Sequence, residues 1–354
     1  MNNNKSRVIG VMSGTSLDGL DLAYCEFQFV RDAWEFKLGP AETIAYNDTW
    51  KVRLSHLHEQ PIHLYPKTDL FYGRFIGQEV KQFIDRHALQ VDLIASHGHT
   101  IFHQPAEGFT AQIGNGAAIH VETGLPVIAD FRTVDVMLGG QGAPLVPIGD
   151  ALLFNKYDAC LNLGGFANIS YSSGNKRKAF DIVPCNIILN ALANQAGMEY
   201  DAGGAIAGTG KINTTLLNQL NQLPFYRQHG ARSLGREWVE EAFWPLIKAA
   251  TLNNEDALAT LTEHIILQIA ACIQISGAKS VLITGGGVYN QFLLEHLKAN
   301  TTALCVVPDT SIIDFKEALI FAFLGVLKIQ HQPNVWCEYT GASRNSIGGA
   351  LFGF

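Results

Sequence analysis

Three glycine-rich turns carry the residue types that are best suited to holding a phosphorylated ligand. The first, SGTSLDG at residues 13–19, joins two apolar runs, and its glycines allow close backbone approach or positive φ. Asp18 and Asp21 add carboxylates at the same tip. Such a tip can hold phosphates on backbone N–H groups and a divalent cation on its carboxylates. An ordinary hairpin turn is the alternative, because Ser, Thr, Asp and Gly are the usual turn residues.

The other two turns are NLGGFAN at residues 162–168 and TGGGVYN at residues 284–290. The second turn lies between two apolar runs, as the first does, whereas the third lies between a predicted buried strand and a helix. The three consecutive glycines of the third turn admit a flat ligand or a phosphate against the backbone and the helix N-terminus. Close packing of the strand on the helix is the alternative explanation for these glycines.

Several side chains at the ends of predicted strands could act on a substrate. Asp181 lies just before Val183-Pro184, where an aspartate is either a general base or a turn former. His97, His99 and His103 lie close together, but they lack a partnered carboxylate or cysteine nearby in sequence. A zinc site is therefore less favoured than hydrogen-bonded histidines.

Two further charged residues have structural alternatives. Arg132 lies between Asp130 and Asp135, which favours a structural ion pair. Glu317 follows Asp314 with the spacing of a capping box at the start of a helix, and helix capping is the favoured role for it.

The composition limits the classes of protein to which the chain can belong. It has 354 residues, of which 47% are hydrophobic, and this is enough for a sizeable core and two domains. The polar N-terminus and the short apolar run at 318–327 predict neither a signal peptide nor a membrane span. Six scattered cysteines without a CxxC pair are typical of reduced thiols in a cytosolic protein. A net charge of −7 argues against nucleic acid as a partner.

Two common nucleotide-binding motifs are missing from the sequence. The segment YDAGGAIAGTGK at 200–211 would need glycine at 205 and a hydroxyl residue at 212 to form a P-loop, but Ala205 and Ile212 stand there. No GxGxxG follows a predicted strand, which removes the Rossmann fingerprint.

Hydrophobic periodicity predicts the same order of elements in both halves of the chain. In the first half these are a hairpin at Val8–Phe27, a strand at Trp34–Thr43, a helix at Lys67–Arg86, a strand at Val91–Ser96 that ends at a HGHT turn, and a short helix followed by the strand LPVIADFRTVDVML within 119–138. In the second half they are a hairpin at Asp158–Tyr171, helices at Ser233–Ile247 and Leu258–Ile275, a strand at 280–284 and a helix at Asp314–Leu327. This recurrence indicates a duplicated two-lobe α/β fold.

The segment Gly139–Pro147, GGQGAPLVP, is the best hinge candidate, because glycines and prolines cluster there between two apolar segments. We therefore expect the lobe boundary near residue 135, with an N-terminal lobe at 1–135 and a C-terminal lobe at 136–354.

The first turn and its flanks also resemble a known family. GVMSGTSLDGLD, Gly10–Asp21, is similar to the opening signature of the anhydro-N-acetylmuramic acid kinases, a branch of the actin and sugar-kinase fold superfamily. Further matches are HGHT for the family's HGQT, ADFR, GGQGAPL, FDIVPCN for FDTGPGN, and EALIFA for EA-x-x-FA. The resemblance implies a two-lobe, actin-like kinase fold of duplicated ribonuclease H-like type with a central ATP cleft. Packing of the C-terminal tail on the first lobe is one arrangement that the sequence leaves open.

The resemblance also implies a reaction and a site. In this family an aspartate, here Asp181, deprotonates the water that opens the 1,6-anhydro ring of anhydro-N-acetylmuramic acid, and O6 takes the γ-phosphate of ATP. The product is N-acetylmuramic acid 6-phosphate, formed in peptidoglycan recycling. His97, Arg132 and Glu317 are then candidate sugar-binding residues, and Asp18 and Asp21 are the candidate Mg²⁺ neighbours. The candidate ATP-binding residues are Gly14, Thr15, Ser16, Leu17, Asp18, Gly19, Leu20, Asp21, Asn162, Gly164, Gly165, Asn168, Gly285, Gly286, Gly287 and Asn290.

The sequence departs from the family pattern beside the candidate base. Ile182, Val183 and Cys185 replace Thr, Gly and Gly, and a β-branched valine resists positive φ. Either the family's glycine serves close approach rather than conformation, or this loop follows a different path, and the added side chains could narrow the sugar pocket. Two alternatives therefore stay open: a kinase of another small sugar, and a nucleotide-dependent regulatory protein without catalysis. We expect a cytoplasmic protein without membrane partners, and a homodimer is one assembly that the sequence leaves open.

Overall fold

The computed structural model describes residues 5–14, 17–174, 176–228 and 232–354. Two compact units share these residues. The first unit comprises the described residues up to Leu153 together with Phe315–Phe354, and the second comprises those of Phe154–Asp314. Each unit is built on its own mixed β-sheet.

The chain begins with the elements of the first unit. In order they are strands β1 (Ser6–Ser13), β2 (Gly19–Val30) and β3 (Ala33–Ala45), helix α1 (Asp48–His56), a 3-10 turn (Leu57–Glu59), helix α2 (Leu64–His87), strand β4 (Leu93–Gln104), a 3-10 turn (Pro105–Glu107), strand β5 (Phe109–Ile113), helix α3 (Gly116–Thr123), strand β6 (Val127–Ala129) and helices α4 (Thr133–Met137) and α5 (Val146–Leu153).

The remaining elements follow in the same way. They are strands β7 (Ala159–Leu163), β8 (Phe166–Ser173) and β9 (Lys176–Pro184), helix α6 (Asn186–Gln195), 3-10 turns (Ala202–Gly204 and Ala207–Thr209), helix α7 (Thr214–Asn221), a 3-10 turn (Pro224–Arg227), helix α8 (Arg236–Trp238), a π-helical turn (Val239–Phe243), helices α9 (Trp244–Ala250) and α10 (Asn254–Ser276), strand β10 (Ser280–Thr284), a 3-10 turn (Gly286–Tyr289), helix α11 (Gln291–Ala299), strand β11 (Leu304–Val306), helices α12 (Thr310–Ile329) and α13 (Cys337–Thr340) and strand β12 (Ala350–Phe352).

The two sheets have the same strand order. In the first unit β6, β4, β1, β2 and β3 lie side by side, with β1–β2–β3 antiparallel and with β4 and β6 added in parallel to β1. In the second unit β11, β10, β7, β8 and β9 repeat this order with the same directions. An antiparallel meander extended by two parallel strands is the ribonuclease H-like arrangement, so the predicted duplication and the actin-like α/β class are confirmed.

The cores explain why these segments fold as they do. Strand β1 is buried on both faces, with Val8, Ile9 and Val11 at 0% exposure, as expected for a central strand. In the second unit α10 is long and apolar enough to cross a membrane by length and composition alone, but most of that helix is buried. Its Leu258, Leu261 and Ile265 belong to the hydrophobic core of that unit.

Close helix packing requires glycine in the centre of β1. A Cβ at Gly10 would lie 1.9 Å from the carbonyl oxygen of Ala318 in α12, and neither backbone can move aside within the core. Residues 318–327 are thus a buried helix segment, which agrees with the expectation that this apolar run does not span a membrane.

Several expected elements differ from the observed ones. Strand β4 does not end at His97 but continues to Gln104, because Gly98 takes φ +74° at an irregularity in the strand and the chain then pairs with β5. The strand expected within 119–138 ends at Ala129 and is followed by α4. The helix expected at 233–247 begins at Arg236.

The compact units also divide at different residues from the expected ones. The division falls after Leu153 and after Asp314 rather than near residue 135, so the glycine-rich segment at 139–147 lies inside the first unit. The buried carboxylate of Asp135 contributes to this, since it accepts hydrogen bonds from Gly142 N (2.8 Å) and Thr340 Oγ1 (2.7 Å). The C-terminal strand β12 pairs antiparallel with β6 of the same unit.

Substitution of Gly10 by alanine tests the packing of α12 on β1. We expect a loss of about 3 kcal/mol or more in the free energy of unfolding, because overpacking against backbone cannot be relieved by a rotamer change. Denaturant unfolding measures this loss. Gly208→Ala is the matched control, because the exposed Gly208 would place its Cβ in ordinary contact, 3.6 Å from Phe292. Equal stability of the two variants would contradict the packing.

Candidate functional site

Strand register in the second unit gathers the predicted polar residues into one row. Thr284 of β10 lies opposite Asn162 of β7, Asn162 lies opposite Asn168 of β8, and Asn168 lies opposite Asp181 of β9. Side chains of directly opposite residues share a face of the sheet and lie within contact range. The row is on the face opposite to that of Leu161 and Leu163, which pack in the core. The pairing therefore brings together residues that are up to 122 positions apart, as Thr284 and Asn162 are.

Asp181 has the environment of a carboxylate whose basicity is increased. It is half-buried, and its Oδ2 accepts hydrogen bonds from Leu234 N (2.8 Å) and Ser233 Oγ (3.2 Å). In the described part of the chain, no hydrogen bond reaches Oδ1. Burial raises the pKa of the Asp181 carboxyl above its ordinary value, while the two hydrogen bonds and the charge of Arg232 partly offset this rise. Such a group accepts a proton more readily than an exposed aspartate does.

The replaced residues beside Asp181 do not line a solvent-accessible pocket. Ile182, Val183 and Cys185 are all 0% exposed and belong to the core of the second unit. Val183 is not among the residues with positive φ, so a valine fits this backbone without strain. These side chains therefore occupy no solvent-accessible space beside Asp181.

The turn between β7 and β8 is fixed by the start of α6. The carbonyl oxygen of Gly165 accepts hydrogen bonds from Cys185 N (2.8 Å) and Ile187 N (3.2 Å), and that of Gly164 accepts one from Asn186 N (3.1 Å). These N–H groups are thus already used within the protein. A Cβ at Gly165 would meet no atom within 4 Å, so the outer side of this turn is open.

The three glycines after β10 have different reasons to be glycine. Gly285 takes φ +87°, and a Cβ there would lie 2.5 Å from Asn162 Oδ1. A Cβ at Gly287 would lie 2.7 Å from the Cβ of Leu163. At Gly286, which is exposed, the nearest atom would be Asn186 Nδ2 at 3.8 Å. Packing therefore accounts for Gly285 and Gly287, whereas Gly286 keeps an accessible backbone face.

Asn290 has a structural function in addition to its candidate one. Its Oδ1 caps α11 by accepting a hydrogen bond from Leu293 N at 3.0 Å.

The β1–β2 turn of the first unit is described in part, since the candidates Thr15 and Ser16 lie outside the described residues. Leu17 takes φ +62°, and its N–H donates to the carbonyl oxygen of Gly14 at 3.3 Å. Asp18 is exposed, whereas Asp21 is half-buried and accepts a hydrogen bond of 2.6 Å from Thr43 Oγ1.

Two other candidates in this turn have structural reasons for their identity. A Cβ at Gly19 would lie 2.6 Å from the carbonyl oxygen of Ile44, so strand pairing requires glycine there. The side chain of Leu20 is buried in the core, which leaves only its backbone for a ligand.

His97 and Arg132 contact each other in the first unit. Arg132 Nε donates to His97 Nε2 at 3.0 Å, and His97 Nδ1 therefore carries the proton and donates to the carbonyl oxygen of Gly98 at 2.9 Å. Burial, with a further contribution from the charge of Arg132, keeps the pKa of His97 well below its ordinary value. The imidazole is thus neutral and orients the guanidinium.

The expected ion pair of Arg132 with Asp130 or Asp135 is not among the ion pairs of the described residues. Arg132 Nη1 instead donates to the carbonyl oxygen of Gly142 at 2.6 Å, and Asp130 accepts a hydrogen bond from Thr133 N at 3.2 Å. Burial lowers the pKa of Arg132 to about 10, while Glu317 and Asp135 favour its charged form. A desolvated cation without a contacting carboxylate is suited to bind an anionic or polar ligand group.

Glu317 is not a helix cap, which corrects the favoured expectation. Helix α12 begins at Thr310, so both Asp314 and Glu317 lie inside it, and Asp314 accepts a hydrogen bond from Tyr289 OH (2.8 Å). Surrounding protein atoms desolvate the Glu317 carboxyl and raise its pKa, although the residue retains solvent-accessible surface.

A polar pocket of about 270 Å³ opens beside His97 in the first unit. Its lining includes Tyr65, Asp69, Asn115 and Asp130. Asp69 accepts hydrogen bonds from Gly114 N (2.8 Å) and Asn115 Nδ2 (2.9 Å), which fixes the orientation of both pocket residues. Aromatic and hydrogen-bonding groups in one pocket are suited to a polar small molecule.

Sequence reasoning missed several of these residues. Asp69 lies inside an amphipathic helix, and Ser233 and Leu234 lie more than 50 positions from Asp181, the carboxylate that they contact. No local pattern marks such contacts in one sequence. For Ser233 and Leu234, the available signal was the polar segment SLGRE at 233–237.

The duplicated strand order places the chain in the class of actin-like α/β folds. A model of the family described as anhydro-N-acetylmuramic acid kinase matches residues 6–353. The chain belongs to the anhydro-N-acetylmuramic acid kinase family.

Relatives agree with this membership over their whole length. An anhydro-N-acetylmuramic acid kinase of Hydrogenovibrio crunogenus is 33% identical over 99% of this chain and 100% of its own. One from Pseudomonas fluorescens is 35% identical over 97% of this chain and 98% of its own. Among solved structures, a ROK family glucokinase from Streptomyces griseus in complex with glucose and AMPPNP aligns with a TM-score of 0.41 at 12% identity, over 90% of this chain and 99% of that one.

Substitution of Val183 by the family's glycine tests the position of this side chain. We expect a loss of about 3 kcal/mol in the free energy of unfolding, because a buried side chain is removed and the unfolded chain gains freedom. The KM values should stay unchanged, since Val183 is fully buried in the core. Denaturant unfolding and steady-state kinetics measure both effects.

Val121→Gly serves as the control for the Val183→Gly variant, because Val121 is 75% exposed on α3. It should cost about 1 kcal/mol. A Val183→Gly variant of unchanged stability but with an altered KM for the sugar would contradict the buried position.

Proposed function

We propose that this protein is an ATP-dependent kinase of 1,6-anhydro-N-acetylmuramic acid that forms N-acetylmuramic acid 6-phosphate and ADP. Family membership over residues 6–353 supports the reaction, and the curated relatives carry this activity in their names. The observation that carries the assignment of the site is Asp181, a half-buried carboxylate at the end of a polar row. The burial of Ile182, Val183 and Cys185 removes the main reason for preferring another sugar.

Asp181 is the proposed general base. It takes a proton from a water molecule whose oxygen attacks C1 of the anhydro sugar, and the bond between C1 and O6 breaks. The released O6 then forms a bond to the γ-phosphorus of ATP, and ADP leaves. Oδ1 is the oxygen proposed to take the proton, because Oδ2 is engaged by Leu234 N and Ser233 Oγ.

Arg132 is proposed to bind an anionic or carbonyl group of the sugar. Its guanidinium is oriented by the neutral His97 at 3.0 Å and keeps donors beyond those used for His97 and Gly142. Glu317 is proposed to accept a hydrogen bond from a sugar hydroxyl. The polar pocket beside His97 is the proposed space for a ring substituent.

The glycine-rich turns are the proposed sites for ATP. Gly165 and Gly286 keep open backbone faces, which suits close approach of phosphate and nucleoside. Asp18 and Asp21 are the residues proposed to hold Mg²⁺, and Asp18 fits this role because it is exposed at the turn. When bound, Mg²⁺ neutralises charge on the phosphates.

We propose that the protein acts in the cytoplasm, in recycling of cell-wall sugars. All six cysteines are free thiols, and four of them are buried, which suits a reducing compartment where ATP is available. A nucleotide-dependent regulatory protein without catalysis is the remaining alternative in a different class.

Production of ADP from Mg-ATP, with and without 1,6-anhydro-N-acetylmuramic acid, tests the proposal. We expect sugar-dependent ADP release and a product whose mass corresponds to the sugar plus one water and one phosphoryl group. Asp181→Asn should abolish turnover while ATP still binds, as measured by calorimetry. Its melting temperature should equal or exceed that of the wild type, because a desolvated ionised carboxylate is removed. ATP binding without turnover of this sugar by the wild type would favour the regulatory alternative.

A further inference from the structure

The short segment 232–234 is paired with the strand that carries Asp181. Asp181 N donates to the carbonyl oxygen of Arg232 at 3.0 Å, and Arg232 Nε donates back to the carbonyl oxygen of Asp181 at 3.0 Å. Residue 232 is thus attached to residue 181 by a backbone and a side-chain hydrogen bond. The two residues that follow it, Ser233 and Leu234, then reach the Asp181 carboxylate.

The guanidinium of Arg232 is held from several sides. It lies over the rings of Phe180 and Phe225, at 5.0 and 4.8 Å from their centroids. Its Nη1 donates to the carbonyl oxygens of Phe225 (3.4 Å) and Gln228 (3.3 Å), and Nη2 lies 3.7 Å from Cys272 Sγ. Contact with two aromatic rings together with a fixed fork of donors is a combination that arginine provides and lysine does not.

The two residues that follow Arg232 contact one oxygen of the Asp181 carboxylate. Ser233 Oγ and Leu234 N both donate to Oδ2, so the carboxylate cannot rotate freely about its Cβ–Cγ bond. Both hydrogen bonds stabilise the ionised form against the cost of burial, and the charge of Arg232 acts in the same direction. Ser233 is itself exposed, which makes its contact with Asp181 the observed reason for its orientation.

We propose that Arg232 is a positioning residue for the reaction, which it serves by placing Ser233 and Leu234 on Oδ2 so that Oδ1 faces the reacting water. This inference rests on the proposed function, since it takes Asp181 as the base. It assigns a role to a cation whose hydrogen bond to Asp181 is made to the backbone carbonyl oxygen and not to the carboxylate. Displacement of a base by a fraction of an ångström is enough to lower kcat strongly, because proton transfer requires close alignment.

Arg232→Lys and Ser233→Ala test the proposal in the full-length enzyme. Arg232→Lys keeps the charge but loses the guanidinium fork and its Nε hydrogen bond, and we expect kcat for the anhydro sugar to fall about tenfold or more. The KM for ATP should stay within about twofold of the wild-type value, because the substitution acts on the base. In Ser233→Ala the acid limb of the kcat/KM profile should move to higher pH, since a donor to the ionised carboxylate is removed.

Two variants control for the substitutions themselves. Arg227→Lys changes an exposed arginine near the same segment, and Ser172→Ala changes an exposed serine on β8. Both should keep the wild-type kcat and pH profile. A melting temperature for every variant separates a loss of folded protein from a loss of positioning.

The outcomes distinguish this inference from the proposed function. If Asp181→Asn keeps near-normal turnover, Asp181 is not the base and both proposals fail. If Asp181→Asn is inactive but Arg232→Lys and Ser233→Ala keep wild-type kcat and an unmoved acid limb, the positioning role alone is overturned, whatever their melting temperatures. If Arg232→Lys does not fold, the pH profile of Ser233→Ala, a change at an exposed side chain, decides between these results.

Discussion

The balance between desolvation and hydrogen bonding at one carboxylate is the constraint on which the candidate site depends. Burial raises the pKa of Asp181, while Leu234 N, Ser233 Oγ and Arg232 limit that rise. A fully exposed aspartate would be a weaker base, and a fully buried one without donors would be protonated at neutral pH. The sheet of the second unit keeps the residue between these extremes, because β9 places it opposite Asn168 at the end of a polar row.

The duplicated strand order serves two different chemical tasks. In the first unit, His97 inside β4 and Arg132 after β6 present a fixed cation beside a polar pocket. In the second unit, the equivalent meander presents asparagines, a carboxylate and open glycine backbone. The glycines also serve two different purposes. Gly10, Gly19 and Gly287 are required by packing, whereas Gly165 and Gly286 leave backbone accessible.

The fold was largely predictable from the sequence, because each lobe repeats one hairpin, one long amphipathic helix and one buried strand. Local patterns did not predict the continuation of β4 through Gly98, the start of α12 at Thr310 or the return of β12 to the first unit. These features depend on a bulge in β4 and on contacts between segments that are far apart in the chain. Periodicity within a single segment carries no information about them.

The site was predictable only in part, for the same reason. The resemblance identified Asp181, His97 and Arg132, and the structure brings the last two into contact at 3.0 Å. It could not identify the partners of these residues. The partner of Arg132 is a neutral histidine instead of the expected aspartate, and the donors to Asp181 come from residues 233 and 234. The effect of Val183 was also unpredictable, since it depends on the side of the strand to which the side chain points.

The most direct test of the account is a single-turnover reaction in oxygen-18 water, with the sugar product reduced at once to prevent exchange at C1. The proposed reaction requires that a base-activated water open the anhydro ring as O6 receives the phosphoryl group. It therefore predicts one labelled oxygen at C1 for every phosphate on O6, with both appearing together and no label in the phosphate. Phosphate on O6 of a product with an unlabelled C1 oxygen would contradict it, because no water would then have been activated by Asp181.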